Sequence, residues 1–392
     1  MDRIRIPTPV KYTINFICVA AFIAVGGAVT TSGLLSRAQN SVVTLVGIYI
    51  ILAVSLNVAT GYLGQLPLGH AGFMAVGAYC GALFWKSGLL AGLPGVVAGL
   101  VIAGLASAFM GVIIGLPALR LSGDYLAIIT LGFGEIIRVA IINLESVTGG
   151  TPGLKNIPKN SNFYLVYACV VVTCALIHMM MKSRHGRAIL SLRENEIAAE
   201  SCGVNTTYYK VMAFSMSAFF AGVAGALYAG AVGILVPNTF DFMASINILV
   251  MVVLGGMGSM AGSIIAAALL TSLPLALQSL NEYRLIIYSL LLIVVMIFKP
   301  SGLMGTYDFS FGYLLEKLGG GVLRRNGGVL RHDGGNGGAG NGGVGGGGEH
   351  DGRSGGGHDS GSGGNGGDER GGDYIDGKNG GDIIKDGGVS DD

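Results

Sequence analysis

Charge is what this sequence has least of. Only 12% of its 392 residues are Asp, Glu, Lys or Arg, about half the proportion of a soluble globular domain, so most of the chain cannot present its surface to water. Cysteine is sparse too: Cys18, Cys80, Cys169, Cys174 and Cys202 form no CxxC pair, and none stands near histidines at metal-ligand spacing. That excludes a metal centre and leaves the five as small buried hydrophobes beside apolar runs. No histidine cluster, no Ser/His/Asp grouping at recognisable spacing and no usable nucleotide loop is present, so no catalytic residue and no metal ligand is assigned. The net charge of +1 is a cancellation between a basic first region, with 17 Lys and Arg against 11 Asp and Glu, and an acidic tail with 7 against 12. It points to no nucleic-acid partner.

What the chain has in excess is hydrocarbon, with 51% hydrophobic residues and a mean hydropathy of +0.63. Even that average understates the first 318 residues, because residues 319–392 hold 32 of the 68 glycines and almost no large apolar side chains. A helix needs about 20 apolar residues to cross a hydrocarbon core of about 30 Å. Ten stretches qualify in whole or part: residues 13–35, 41–62, 71–85, 93–116, 125–144, 163–181, 209–236, 244–254, 263–280 and 285–298. Residues 71–85 and 244–254 are short for a full span. The first stretch follows Arg3, Arg5 and Lys11, but it is long for a cleavable leader and reads as an uncleaved first span. The chain is therefore predicted to be all-α, a polytopic membrane bundle of about ten spans.

Ten crossings place both termini on one side. With that side cytoplasmic, the inner segments hold Arg3, Arg5, Lys11, Arg120, Lys182, Arg184, Arg187, Arg193, Lys210 and Lys299, against Arg37, Lys86, Lys155, Lys159 and Arg284 outside. The two-to-one excess has the sense that orients membrane proteins.

Glycine is patterned inside the spans. Gly222, Ala226 and Gly230 recur four apart, a small-residue face that lets helices approach closely. Two other glycine clusters interrupt the helical pattern: GYLGQLPLGHAG, with Gly61, Gly64, Gln65, Gly69 and His70, and GGMGSMAG, with Gly255, Gly256 and Gly258. They occupy corresponding places in the two halves. Either they are broken helices lining a translocation path near mid-membrane, or they are tight turns between hairpin spans. His70 reads as a hydrogen-bonded packing residue. Glu135 and Arg138 lie three apart in a stretch otherwise apolar, and read as an internal ion pair fixing the helix or as a gate or substrate contact.

The longest polar connection, residues 182–207, is helix-forming from Gly186 to Cys202 and stops at Gly203, a C-cap. A short cytoplasmic helix there suits a surface that another protein grips. After residue 318 the chain is low-complexity, and residues 319–392 are expected to form a flexible cytoplasmic tail following a juxtamembrane segment at 306–318. GDYIDGKN, at residues 372–379, approaches a phosphate loop, but Asn379 stands where Ser or Thr should hold magnesium. A nine-residue repetition beside it falls short of the three units a stacked repeat needs.

Taken in order, GYLGQLPLGHAGFMAVGAYCGAL, LSGDYLAIITLGFGEIIRVAIINLESVTGGTPGL, RENEIAAESCGVN, MVVLGGMGSMAGSIIAAALL and YRLIIYSLLLIVVMIFKPSGLMG resemble the LivM-type permeases of branched-chain amino acid ABC importers, over roughly residues 40–305. The resemblance implies a transmembrane permease domain spanning residues 1–305 and a second, LivH-type permease subunit. It also implies two cytoplasmic ATPase subunits that bind the ATP and magnesium, and a periplasmic protein delivering leucine, isoleucine or valine by alternating access across the inner membrane. It further implies that residues 182–207 hold the helix that docks on the ATPase. Importer permeases share Glu-Ala-Ala, three residues, then Gly in that loop. Ala198, Ala199 and Gly203 match, with Glu200 beside them, while Ile197 stands where the Glu would be. Two alternatives remain open: a permease of the same superfamily for urea, short amides or other amino acids, and a secondary carrier driven by an ion gradient.

Overall fold

The computed structural model describes residues 36–276 except 91 and 122, together with isolated positions on either side of that range. The predicted spans at 13–35 and 285–298, the juxtamembrane segment, the tail and Cys18 lie wholly or largely outside the described residues. Among the described residues there is no strand, only the isolated antiparallel bridge Leu154–Leu235.

The helices are α1 (Arg37–Asn57), prolonged by a π-turn (Val58–Tyr62), α2 (His70–Ser87), α3 (Gly92–Ala118), α4 (Asp124–Asn143), α5 (Glu145–Thr148) and α6 (Phe163–Lys182). Beyond the polar connection's α7 (Arg184–Glu194) and α8 (Glu196–Ser201) come α9 (Thr206–Val232), a 3-10 turn (Pro237–Phe240), α10 (Phe242–Gly255) and α11 (Met260–Ala276). Five of these, with α1 and its π-turn taken together, are long and apolar enough to cross a membrane: Arg37–Tyr62, Gly92–Ala118, Asp124–Asn143, Phe163–Lys182 and Thr206–Val232. The chain is a multi-pass membrane protein.

Short polar side chains start these helices by satisfying amide groups that lack a helical partner. Ser36 and Gln39 form a reciprocal capping box at α1. Asn205 Oδ1 accepts from Tyr208 N at 3.0 Å, and Asp241 Oδ1 from Ala244 N at 2.9 Å. α9 ends at Val232, four residues short of the predicted stretch, because Gly233 turns left-handed at φ +80° and Leu235 leaves to pair with Leu154.

α9 is the central helix, packed against α1, α2 and α3. The small-residue face is the reason it can be: a methyl group on Gly222 would overlap Ser107 and the α3 backbone, and Gly77 of α2 sits directly on Gly222. α1 and α9 are mostly buried, whereas α3, α4 and α6 leave large apolar side chains such as Leu105, Phe109, Ile128, Ile136, Val172 and Met179 exposed. An apolar belt of this extent is what a bilayer or another membrane subunit covers. The polar connection and Gly61 lie at one end of the bundle, the loop end; the Leu154–Leu235 bridge lies at the far end.

Candidate functional site

The two glycine-rich interruptions differ in kind. After the π-turn the chain does not exit the bundle; residues 63–69 climb back into it and α2 begins at mid-depth. Ser217 lies eleven residues into α9, about 16 Å from its start at 1.5 Å per residue. Its Oγ donates to the Ser55 carbonyl at 2.7 Å, and Ser55 Oγ is 2.9 Å from His70 Nε2 at the first turn of α2. His70 is thus the hydrogen-bonded packing residue expected of it. Backbone of this kind survives at membrane depth only where protein supplies partners. Here hydroxyls do so: Thr130 Oγ1 accepts from Leu68 N at 3.0 Å, Ser245 Oγ from Ala71 N at 3.1 Å, and Ser107 Oγ donates to the Phe73 carbonyl at 2.9 Å. Gly69 and Gly72 allow this by resting on the α4 backbone at Thr130 and Gly134. Ser245 belongs to the first turn of α10, so α10 also starts near this depth. Two helices, of 18 and 14 residues, therefore begin beside one another.

The second interruption, Gly256 to Ser259, is a tight turn between α10 and α11. It nevertheless meets the first. Gly258 N donates to Asn57 Oδ1 at 2.9 Å, and a side chain on Gly61 would overlap both Asn57 and the Gly258 backbone. Gly256 and Gly258 hold positive φ, +105° and +90°, and Gly255 rests against Gly262 while Gly302 packs on Gly256. Gln65 N reaches back to the Ala59 carbonyl at 3.0 Å. Into this junction comes Arg193 from α7, whose Nη1 donates to the Gly61 carbonyl. Its stem lies along Gly64, which holds φ +78°.

On α4, Arg138 Nε donates to Glu135 Oε2 at 2.7 Å, the side chains being 25% and 33% exposed. Arg138 Nη1 also donates to Asn238 Oδ1 at 3.1 Å. The expected ion pair forms, and the 3-10 turn supplies a third member. Glu135 is the twelfth of twenty residues in α4, about 17 Å along a helix of about 30 Å. An ionised side chain at the centre of a bilayer costs at least about 2.5 kcal/mol even on the mildest scale. The face of α4 bearing this pair therefore turns toward protein or water and not toward acyl chains.

The polar connection is not the single helix expected over residues 186–202. It breaks at Asn195, extended at φ −160°, whose Oδ1 accepts from Ala198 N at 3.0 Å and starts α8. Asn is among the strongest N-caps, and that was the signal available. α8 ends as predicted at Gly203, left-handed at φ +82°. Val204 N bonds the Ala199 carbonyl and Gly203 N the Glu200 carbonyl, the paired closure that a glycine in this conformation permits. Of the residues matched to the importer loop, Ala198 and Gly203 are exposed, as are Glu200 beside them and Ile197 at 79%. Ala199 is buried, at 6%, and faces its own subunit. Lys210 Nζ, at the buried start of α9, pairs with Glu196 Oε1 at 2.6 Å and ties α8 to the central helix. Cys202 departs from its expected burial and is exposed on this loop, while Cys80, Cys169 and Cys174 are partly buried. Among the described residues no three His, Cys, Asp or Glu gather to hold a metal.

The chain is thus a multi-pass helical bundle with two helices starting inside it and a polar loop bonded to the end of the π-turn at Gly61. Residues 39–296 match the family described as "Branched-chain amino acid transport system / permease component", and the chain belongs to it. It is 38% identical to the high-affinity branched-chain amino acid transport system permease protein LivM of Escherichia coli K12, over 71% of this chain and 72% of that protein. It matches LivM of Salmonella typhimurium LT2 equally. The permease protein LivH of E. coli K12 is 27% identical over 67% of this chain and 93% of its own length. No solved structure matches. These relatives are transport permease proteins, and the chain is a transport subunit and not an enzyme.

Proposed function

We propose that this chain is one of two permease subunits of an ATP-driven importer of leucine, isoleucine and valine in the bacterial inner membrane. The other permease is LivH-like, two cytoplasmic ATPase subunits bind the ATP and magnesium, and a periplasmic binding protein delivers the amino acid. Both ends of the chain are cytoplasmic, in keeping with the twofold excess of Lys and Arg on the side of the 182–207 loop. The observation that carries the reading is the match of residues 39–296 to the branched-chain amino acid permease family, and the bond from Arg193 to the Gly61 carbonyl gives the coupling a route. A force applied to α7 and α8 by a docked ATPase reaches the junction of the two interruptions through one side chain. Closure of the ATPases rocks α9 through the Glu196–Lys210 pair, and the end of the π-turn at Gly61 through Arg193, which opens the path alternately to either side.

The test is reconstitution of the two permeases with the ATPases in vesicles, with binding protein added. Uptake of leucine that needs ATP and both ATPases is expected. Uptake persisting without the ATPases under an imposed ion gradient would make the chain a secondary carrier, and ATP-dependent uptake of urea or short amides in place of leucine would move the substrate class.

A further inference from the structure

We propose that Glu135 and Arg138, positioned with Asn238, form a recognition site inside the translocation path for the zwitterionic head of an amino acid. The inference rests on the permease reading above and adds to it the place where the substrate is held in the membrane.

The pair stands about halfway along α4 and keeps a quarter to a third of its side-chain surface open, on a face that acyl chains cannot cover. Its hydrogen-bonding capacity is only partly used. A guanidinium carries five N–H donors, of which two are engaged by Glu135 and Asn238 among the described residues. Glu135 accepts through Oε2, which leaves Oε1 to receive further donors. The remaining N–H groups of Arg138 suit an α-carboxylate, and Oε1 suits an α-ammonium. One bound zwitterion therefore satisfies both charges without separating them and without adding net charge to the membrane interior.

Beside Glu135 the bundle leaves only a narrow crevice, bordered by Leu68, Leu131, Phe240 and Phe242 and by the polar Asp241 and Ser245, so the site recognises the charged head and the side chain of the ligand lies outside it. At the two helix starts of this depth Ala71 N is taken by Ser245 and Ala244 N by Asp241, and the carboxylate is assigned to Arg138, which carries the complementary charge. A head-group held by exchangeable charged hydrogen bonds, at a partly open face, is bound well enough to enter and weakly enough to leave, as conduction demands.

The rival account is a pair that only stabilises its helix, and double substitution separates the two. Replacing one partner leaves an unpaired charge and harms either kind of pair, whereas replacing both relieves a purely structural one. In the reconstituted complex, Glu135→Gln with Arg138→Gln is expected to lower ATP-dependent leucine uptake at least tenfold, while assembly and ATP hydrolysis stay near wild type. Uptake within twofold of wild type in that variant overturns the proposal. Should the double variant fail to assemble, Asn238→Ala decides: it keeps both charges and removes the amide that orients Arg138. A severalfold loss of uptake at unchanged ATP hydrolysis supports the site, and unchanged uptake overturns it. The wild-type complex is measured in parallel; if it takes up no leucine, isoleucine or valine, the permease reading itself has failed.

Discussion

Replacing Arg193 by methionine keeps the apolar stem along Gly64 and removes the guanidinium that bonds the Gly61 carbonyl. Gly61 is buried and sits where the chain leaves the π-turn, so its carbonyl depends on the donor that α7 supplies. A hydrogen bond from a charged donor contributes about 1.5–3 kcal/mol, and the lower end applies because Arg193 is itself exposed. If the bond is made in one conformation of the transport cycle and released in the other, losing about 1.5 kcal/mol shifts that equilibrium about tenfold. The ATPase surface of the loop is untouched, so ATP hydrolysis by the assembled complex is expected to continue while leucine moved per ATP falls about tenfold. The assay is parallel measurement of phosphate release and labelled leucine uptake in vesicles. Arg187→Met, an exposed change on the same helix, is the control and is expected to stay within twofold. Stoichiometry unchanged in Arg193→Met would refute the reasoning, since it would mean that the bond is held equally throughout the cycle and transmits nothing.

The loop offers a second contrast. Ala198→Glu changes only the outward face and is expected to insert normally and fail to co-purify with the ATPases, whereas Ala199→Glu forces a carboxylate into a buried position and is expected to make the loop protease-sensitive even without partners. Glu196→Gln leaves the buried Lys210 facing a neutral group and is expected to loosen the loop by about 1–2 kcal/mol, read as faster amide exchange over residues 196–205. Truncation after Leu318 is expected to leave insertion and leucine uptake near full-length levels, because a glycine-rich segment buries too little apolar surface to stabilise anything it touches; lost uptake at normal abundance would contradict that.

The spans were legible because hydrophobic length is a one-dimensional property: residues 93–116 and 163–181 were expected, and Gly92–Ala118 and Phe163–Lys182 form. The 12-residue stretch from Gly61 to Gly72 was less so. Its glycines announce an interruption, but the return of the chain into the bundle depends on hydroxyls from Thr130 and Ser245, far away in sequence. The Glu135–Arg138 pair could be read because its members are one helical turn apart; its third member, Asn238, is 100 residues on. Arg193 and Gly61 are separated by 132 residues, and neither type announces the other. Asn195 is different, since the preference of Asn for helix starts is a local property that needs no distant partner.

The mid-depth start of α2 also bears on how the chain is made. A group that satisfies it arrives late: Ser245 lies 174 residues after Ala71. The helix beside it waits as well, since Ser217, which bonds the Ser55 carbonyl of α1, lies 162 residues after it. At about 5–20 residues per second, on the order of ten to thirty seconds pass between synthesis of α2 and synthesis of α9 and α10. During that interval the amide of Ala71 faces either lipid or the insertion machinery. Residues 63–87 are therefore expected to remain at the insertion site, or in water beside it, until α10 emerges, which makes the order of assembly in this bundle differ from the order of its sequence.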